Sequence, residues 1–173
     1  RTQTIIQAVY RSMQDGKSAI RWFRKDAAEN GNTYAIDPSR IVVGGQGSGG
    51  YTSLAIGHIN SLAEMQLTKF FNFTTNAFMV ATALLGNWDG FGGNPALNYE
   101  NHPGYSSDVN ATFNIGGAIG DSSWIDPGEP VSISLHGVND AFAPYDYGIV
   151  NVPGTTLFVV DVSGSAGVSR VAN

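Results

Sequence analysis

No cysteine occurs among the 173 residues of this sequence, which rules out a disulfide framework and a cysteine-based zinc site and leaves the redox compartment undetermined. Nor is there an apolar run near the roughly 18 residues that a membrane-spanning helix needs. A membrane span is therefore not expected. Positive charge is scarce too, with nine Lys and Arg against 14 Asp and Glu for a formal charge of −5. The basic residues gather mainly between Arg11 and Lys25, where they read as the solvated face of a helix, so nucleic acid is not an expected partner. No His-x-x-x-His pair and no dense Asp/Asn loop is present, and Asp89, Glu100, His102, Asp121 and Asp126 are scattered like ordinary surface groups. Neither a metal nor a cofactor is expected. The sequence opens on Arg1 with no initiator Met and no signal peptide, which reads as a processed or partial chain.

What the sequence does have is 42% hydrophobic residues and 22 glycines, the balance of a loop-rich globular chain of one domain, residues 1–173. Its few lysines, its many Asn, Ser and Thr, and the acceptor-type triplets Asn72-Phe73-Thr74 and Asn110-Ala111-Thr112 lean toward a secreted or cell-surface protein.

Apolar residues recur at three- and four-residue spacings from Ile5 through Val9, Met13 and Ile20 to Phe23, which predicts one long amphipathic helix over 4–29. Asn30-Gly31-Asn32 supplies its stop. Next, Arg40 to Gly44 reads as a short apolar strand of the kind buried on both faces of a parallel sheet. A burst of glycines, Gly44-Gly45-Gln46-Gly47-Ser48-Gly49-Gly50, leads into a short helix over 51–60. The stretch 61–107 has no clear periodicity and reads as an insertion, either ordinary surface chain or an excursion over the strand ends. Regular pattern returns in three more apolar runs, Thr112–Ile119, Val131–Gly137 and Leu157–Val162, and a helical start over 164–173. Helices alternating with buried strands predict an α/β fold, a mainly parallel sheet flanked by helices.

The glycine burst carries the outline of a Gly-x-Ser-x-Gly turn, in which a nucleophile stands on a sharp corner between strand and helix. Counting from Gly45 to Gly49, the serine position holds Gly47. The flanks of that corner must be small, and Gly45 and Gly49 satisfy this about Gly47, whereas an apex at Ser48 would be flanked by Gln46. An apex at positive φ strains any residue but glycine by about 1–3 kcal/mol. Glycine at 47 thus relaxes the turn and removes the nucleophile. Ser48 has two readings, a residue capping the first turn of the helix or a displaced nucleophile. The same glycines lack the lysine of a P-loop and the acidic residue of a dinucleotide fingerprint, so a phosphate-binding reading is set aside.

About ninety residues on comes His136-Gly137-x-x-Asp140-x-x-x-Pro144-Tyr145. Together with Ile36-Asp37-Pro38-Ser39-Arg40-Ile41-Val42-Val43-Gly44-Gly45 and the glycine turn, it resembles the central and C-terminal part of the α/β-hydrolase fold, in particular secreted carboxylesterase- or lipase-like proteins of Bacteroidota. The resemblance implies that Asp140 occupies the position of the acid that orients a catalytic histidine, and that Gly47 occupies that of the serine. It also implies that His136 is not the base. Read locally, Asp140 is equally a turn residue satisfying nearby backbone groups. His58 and His102 precede Asp140 and no histidine follows it, whereas in this fold the base follows the acid. The chain therefore reads as an interior part of a larger α/β-hydrolase-like domain.

Three functions follow as expectations. The first is a catalytically degenerate domain of carboxylesterase or lipase ancestry, acting as a binding or structural module for a small ester or a surface polymer. The second is an active serine carboxylester hydrolase using Ser48, Asp140 and a histidine beyond residue 173. The third is a subunit of a surface assembly whose aromatic segment, Phe70 to Phe91, meets protein partners.

Overall fold

The computed structural model describes residues 2–152 and 154–172; Arg1, Pro153 and the last residue of the expected final helix, Asn173, lie outside the described residues. The chain begins with α1 (Thr2–Glu29), as the spacing of its apolar residues requires. It stops where expected: the amides of Asn30 and Asn32 both close on the Asp26 carbonyl, at 2.9 and 3.1 Å, while Gly31 and Asn32 take the left-handed conformation.

One face of α1, through Ile6, Tyr10, Met13 and Ile20, enters the core. The polar residues on and beside that same face depart from expectation. Lys17 and Arg21 keep only 5% and 1% of their surface, and Gln14 is also buried, so the supposed solvated face is covered. The cover is the chain between about residues 79 and 106, which has little regular structure and so presents backbone carbonyls that need donors. Side chains of α1 supply them in step: Gln7 to Met79 at 2.8 Å, Tyr10 to Gly86 at 2.9 Å, Gln14 to Leu85 and Asn87 at 2.8 and 2.7 Å. Farther along, Arg21 donates to Asn101 at 2.9 Å and Arg24 to Ser106 at 2.7 Å. Lys17 donates to the Ile59 carbonyl and lies 3.3 Å from Asp89. Burial pulls the Lys17 pKa down, and the Asp89 charge works against that shift. The guanidinium of Arg21 also sits 4.5 Å above the Phe91 ring.

The three apolar runs in the middle of the chain form strands β1 (Val42–Gln46), and, counting onward past the small hairpin β2 (Phe71–Asn72) and β3 (Ala77–Phe78), β4 (Ala111–Ile115) and β5 (Val131–Leu135). β1, β4 and β5 make a parallel sheet in that order, with Val42 opposite Ala111 and Ala111 opposite Val131. The fold class is α/β: a small parallel sheet with helices, and no closed barrel among the described residues.

Helix α2 (Ser48–His58) covers one face of this sheet; α3 (Leu62–Met65) and α4 (Thr82–Leu85) are single turns within the 61–107 stretch. The face under α2 is polar and tightly closed, with Thr112 and Asn114 fully buried. On the other face Val42, Val131, Ile133 and Leu135 are all more than half exposed. The expectation that β1 is buried on both sides is therefore corrected, because among the described residues helices cover only one face.

The run 157–162 also departs from expectation. It becomes β7 (Phe158–Ser163), antiparallel to β6 (Tyr147–Asn151), in a hairpin outside the three-stranded sheet. Its link to the strand ends is a bridge between Ile119 and Ser163 with both amide bonds at 2.9 Å. Lys69 ties it to the 61–107 stretch, pairing with Asp161 at 3.0 Å and Asp121 at 2.8 Å. Helix α5 (Ser165–Ala172) closes the described chain.

The Lys17–Asp89 pair gives a test of how far α1 depends on its cover. Replacing Asp89 by Ala leaves a buried ammonium with one carbonyl for company, and is expected to lower the unfolding free energy by about 3 kcal/mol. Urea denaturation measures it; a loss under about 1 kcal/mol would mean that the pair behaves like a surface ion pair.

Candidate functional site

Strand β1 runs into α2 through a single residue, Gly47, at φ 54° and ψ −116°. Its amide donates to the Ile115 carbonyl at the end of β4, at 2.8 Å, and its carbonyl accepts from the amides of Gly50 and Tyr51 at 2.9 and 3.2 Å. The apex is thus pinned on both sides. A Cβ built on Gly45 would lie 2.5 Å from the carbonyl carbon of Gly49, so the two arms of the turn touch backbone to backbone. A Cβ on Gly47 or on Gly49 would meet nothing within 4 Å. The steric demand falls on Gly45, and at Gly47 what favours glycine is the dihedral angle, since a side chain has room.

Ser48 is the first residue of α2 and is exposed. The capping role is corrected: Gly47 is the N-cap, and no side chain caps this helix. The Ser48 carbonyl accepts from the Thr52 hydroxyl at 3.0 Å, and among the described residues the Ser48 hydroxyl has no imidazole or carboxylate in hydrogen-bond reach.

Asp140 follows β5 and lies at the same edge of the sheet. Its carboxylate accepts from the amides of Phe142 and Ala143 at 2.7 and 3.0 Å, and His136 Nε2 is 3.6 Å away. Those two amide bonds hold its pKa below the usual carboxylate range. A Cβ on Gly116, just after β4, would come within 3.3 Å of Asp140 Oδ2, so the turns after β4 and β5 are in contact. The His136 side chain is sealed, with Ser165 Oγ 2.9 Å from Nδ1 and the Ala143 carbonyl 3.2 Å from Nε2. That pattern assigns the proton to Nε2 and has Nδ1 accept from Ser165.

The turns after β1 and β4 and the loop 141–143 open onto one cleft of about 1060 Å³, whose wall includes Gly47, Ser48, Tyr51, Gly116 and Ala143. A cleft outside the carboxyl ends of parallel strands is where open α/β sheets bind ligands. Residues 6–149 match the protein-family model described as BD-FAE.

The chain belongs to the BD-FAE family.

That family is related to α/β-hydrolase and esterase-like proteins, which accords with an elbow and an acidic residue meeting at the strand ends. No curated protein and no solved structure matches the chain.

This BD-FAE domain also contains an arrangement that its sequence did not disclose. His58, at the end of α2 and only 1% exposed, lies between Glu129 and Ser132, with Nδ1 to Glu129 Oε2 and Nε2 to Ser132 Oγ both 2.7 Å. The order Ser–His–Glu is that of a hydrolase triad. Its surroundings are different: Ser132 Oγ is also 2.7 Å from the Thr112 hydroxyl, and none of the three residues lines the cleft. It joins α2 to β5 on the buried side of the sheet. Nearby carboxylate oxygens of Glu64, Asp126 and Glu129 approach within 4.8 Å of one another. Glu64 is taken by the amides of Asn60 and Ser61, and Glu129 by Asn60 Nδ2 and the Asp126 amide. His58 and Glu129 are 71 residues apart, so no local pattern connects them.

Two measurements follow from this geometry. Gly45→Ala forces a backbone collision and is expected to cost about 3 kcal/mol or more, whereas Gly47→Ala meets open space and costs about 1–2 kcal/mol of backbone strain; chemical denaturation showing the reverse order would contradict the placement of the apex. For Asp140, a lowered folded pKa means that its stabilisation is complete above the unfolded value of about 3.9 and is lost as pH falls through the lower folded value. Asp140→Asn should accordingly be less stable than the parent at neutral pH, with the gap closing as the pH falls below the lowered folded pKa.

Proposed function

We propose that this BD-FAE domain is a secreted or cell-surface module of α/β-hydrolase fold and carboxylesterase ancestry, of Bacteroidota type, that has lost its catalytic power and now binds a ligand. The observation that carries the reading is Gly47. It holds the apex of the strand-to-helix turn, at positive φ, facing the cleft, where a hydrolase of this architecture presents its serine. A turn without a side chain at its apex has no nucleophile to form an acyl-enzyme. The surrounding parts support an inherited site: the amides of Ser48 and Gly49 have no partner among the described residues, so the first turn of α2 retains free N–H donors beside the cleft. Asp140 lies at the same edge of the sheet but is engaged by the loop that follows it.

Ser48 is the basis of the competing reading, because it is exposed at the cleft and carries a free hydroxyl. Against it stands the absence of any imidazole within hydrogen-bond reach among the described residues, without which serine is a weak nucleophile. The full-length protein assayed with p-nitrophenyl acetate and butyrate is expected to show no hydrolysis above the buffer rate, and no labelling of Ser48 by a fluorophosphonate. Turnover that Ser48→Ala abolishes would overturn the degenerate reading.

A further inference from the structure

The cleft has an unusual chemical character for a chain with 23 charged side chains, counted as nine basic and 14 acidic. None of the 25 described residues lining it carries a charge. Its walls come from the first half of α1, the start of α2, the loop 141–143 and β6, and they are dominated by side chains such as Ile5, Val9, Ile56 and Val150. Most hydroxyls in the wall are already committed to the protein. Ser12 donates to the Val9 carbonyl at 2.8 Å, Thr52 to Ser48 at 3.0 Å, Ser53 to Gly50 at 2.9 Å and Thr155 to Val152 at 2.8 Å.

Tyr51 is different. Its hydroxyl is buried and without a hydrogen-bond partner, one of two such side-chain atoms among the described residues, the other being Arg21 Nη1 on the far side of α1. Burial, with the Asp140 charge second, pushes its pKa up to about 12, so near neutrality the phenol is a proton-bearing donor. A buried donor left unsatisfied is costly, and an acceptor delivered by a ligand would recover that cost.

Behind Tyr51 lies a second space, a cavity of about 90 Å³ in the apolar core, bounded also by Ala55, Ala118 and Trp124. Ile5, Val9, Tyr51, Val150 and Val159 line both spaces, so the two share a wall. An apolar cavity of about 150 Å³ accommodates a benzene ring. The smaller inner space suits the end of an unbranched alkyl chain.

We infer that the cleft binds an uncharged, unbranched aliphatic ketone of medium chain length, with the carbonyl oxygen on the Tyr51 hydroxyl and the chain end in the inner cavity. The inference rests on the reading of this domain as a ligand-binding module. Charge is selected against because an ion entering these walls would give up its hydration and find no counter-ion, and an anion on the Tyr51 hydroxyl would in addition feel the charge of Asp140, which acts on that phenol.

Calorimetric titration of the full protein with 2-undecanone and with undecanoate, at neutral pH, tests it. The ketone should bind saturably, and the carboxylate of equal chain length at least about tenfold more weakly, a difference of about 1.4 kcal/mol. Tyr51→Phe should weaken ketone binding by about three- to tenfold, the worth of one hydrogen bond, while leaving the melting temperature of the free protein unchanged or raised, since the hydroxyl it removes has no partner. Ala55→Leu, which fills the inner cavity, should shift the preference from 2-undecanone to a shorter ketone. No saturable ketone binding, equal binding of undecanoate, or unchanged affinity in Tyr51→Phe would each overturn the inference. A ketone cannot be hydrolysed, so ester turnover would overturn the degenerate reading without touching this result, and failure to bind ketone would leave the lost nucleophile as it stands.

Discussion

Each strand of the parallel sheet is tied at its carboxyl end to the next by one amide. The Gly47 amide closes on Ile115, the last residue of β4, and the Gly116 amide closes on Leu135, the last residue of β5, at 2.8 and 2.9 Å. These two bonds keep three successive turns in step, so that the apex after β1, the glycine after β4 and the carboxylate after β5 arrive at one edge. The cleft exists because of that alignment. Asp140 then fixes its own loop through two backbone amides, and His136 is locked behind it by Ser165 at the start of α5. The acid is held in place by the very contacts that occupy it.

A second set of constraints lies along α1. Its donors are spread over five turns of helix and received by carbonyls of a stretch with little secondary structure of its own. In the interior, a long helix with polar side chains does for that irregular chain what a neighbouring strand would do in a sheet. The same helix supplies Ile5 and Val9 to the wall between cleft and cavity. Cover and ligand site are thus carried on different faces of a single element.

Much of the architecture was legible in the sequence, for identifiable reasons. The helix over 4–29 followed from apolar spacing, its stop from Asn30-Gly31-Asn32, and the three parallel strands from short apolar runs ending in glycine or His-Gly. The elbow was legible because backbone contact at Gly45 and positive φ at Gly47 both demand glycine. Less visible was anything that rests on long-range pairing. Lys17 and Arg21 read as solvated because composition does not reveal that Ile59, Asp89 and Asn101 come to meet them. Of the two readings of Ser48, the capping one misses by one residue, since α2 starts as soon as the turn is made and leaves Ser48 already inside the helix. Strand β6 carries glycine and tyrosine where apolar alternation would have marked it, and the His58–Glu129–Ser132 arrangement joins residues with no local relation.

The polar underside of the sheet bears on how the chain finds its pairing during folding. Apolar packing alone tolerates small errors of alignment, whereas here Thr112 meets Ser132, Ser132 meets His58, and Asn114 meets Ser134 and Ser165 at fixed positions. A slip of one residue in β5 would turn Val131 and Ile133 toward α2, expose both serines and break the whole chain of hydrogen bonds at once. Wrong registers are therefore penalised by loss of satisfied polar groups, a sharper discriminator than lost hydrophobic area. The contacts that provide it span 20 to 74 residues of chain, so the check operates late, when β4, β5 and α2 have already come together.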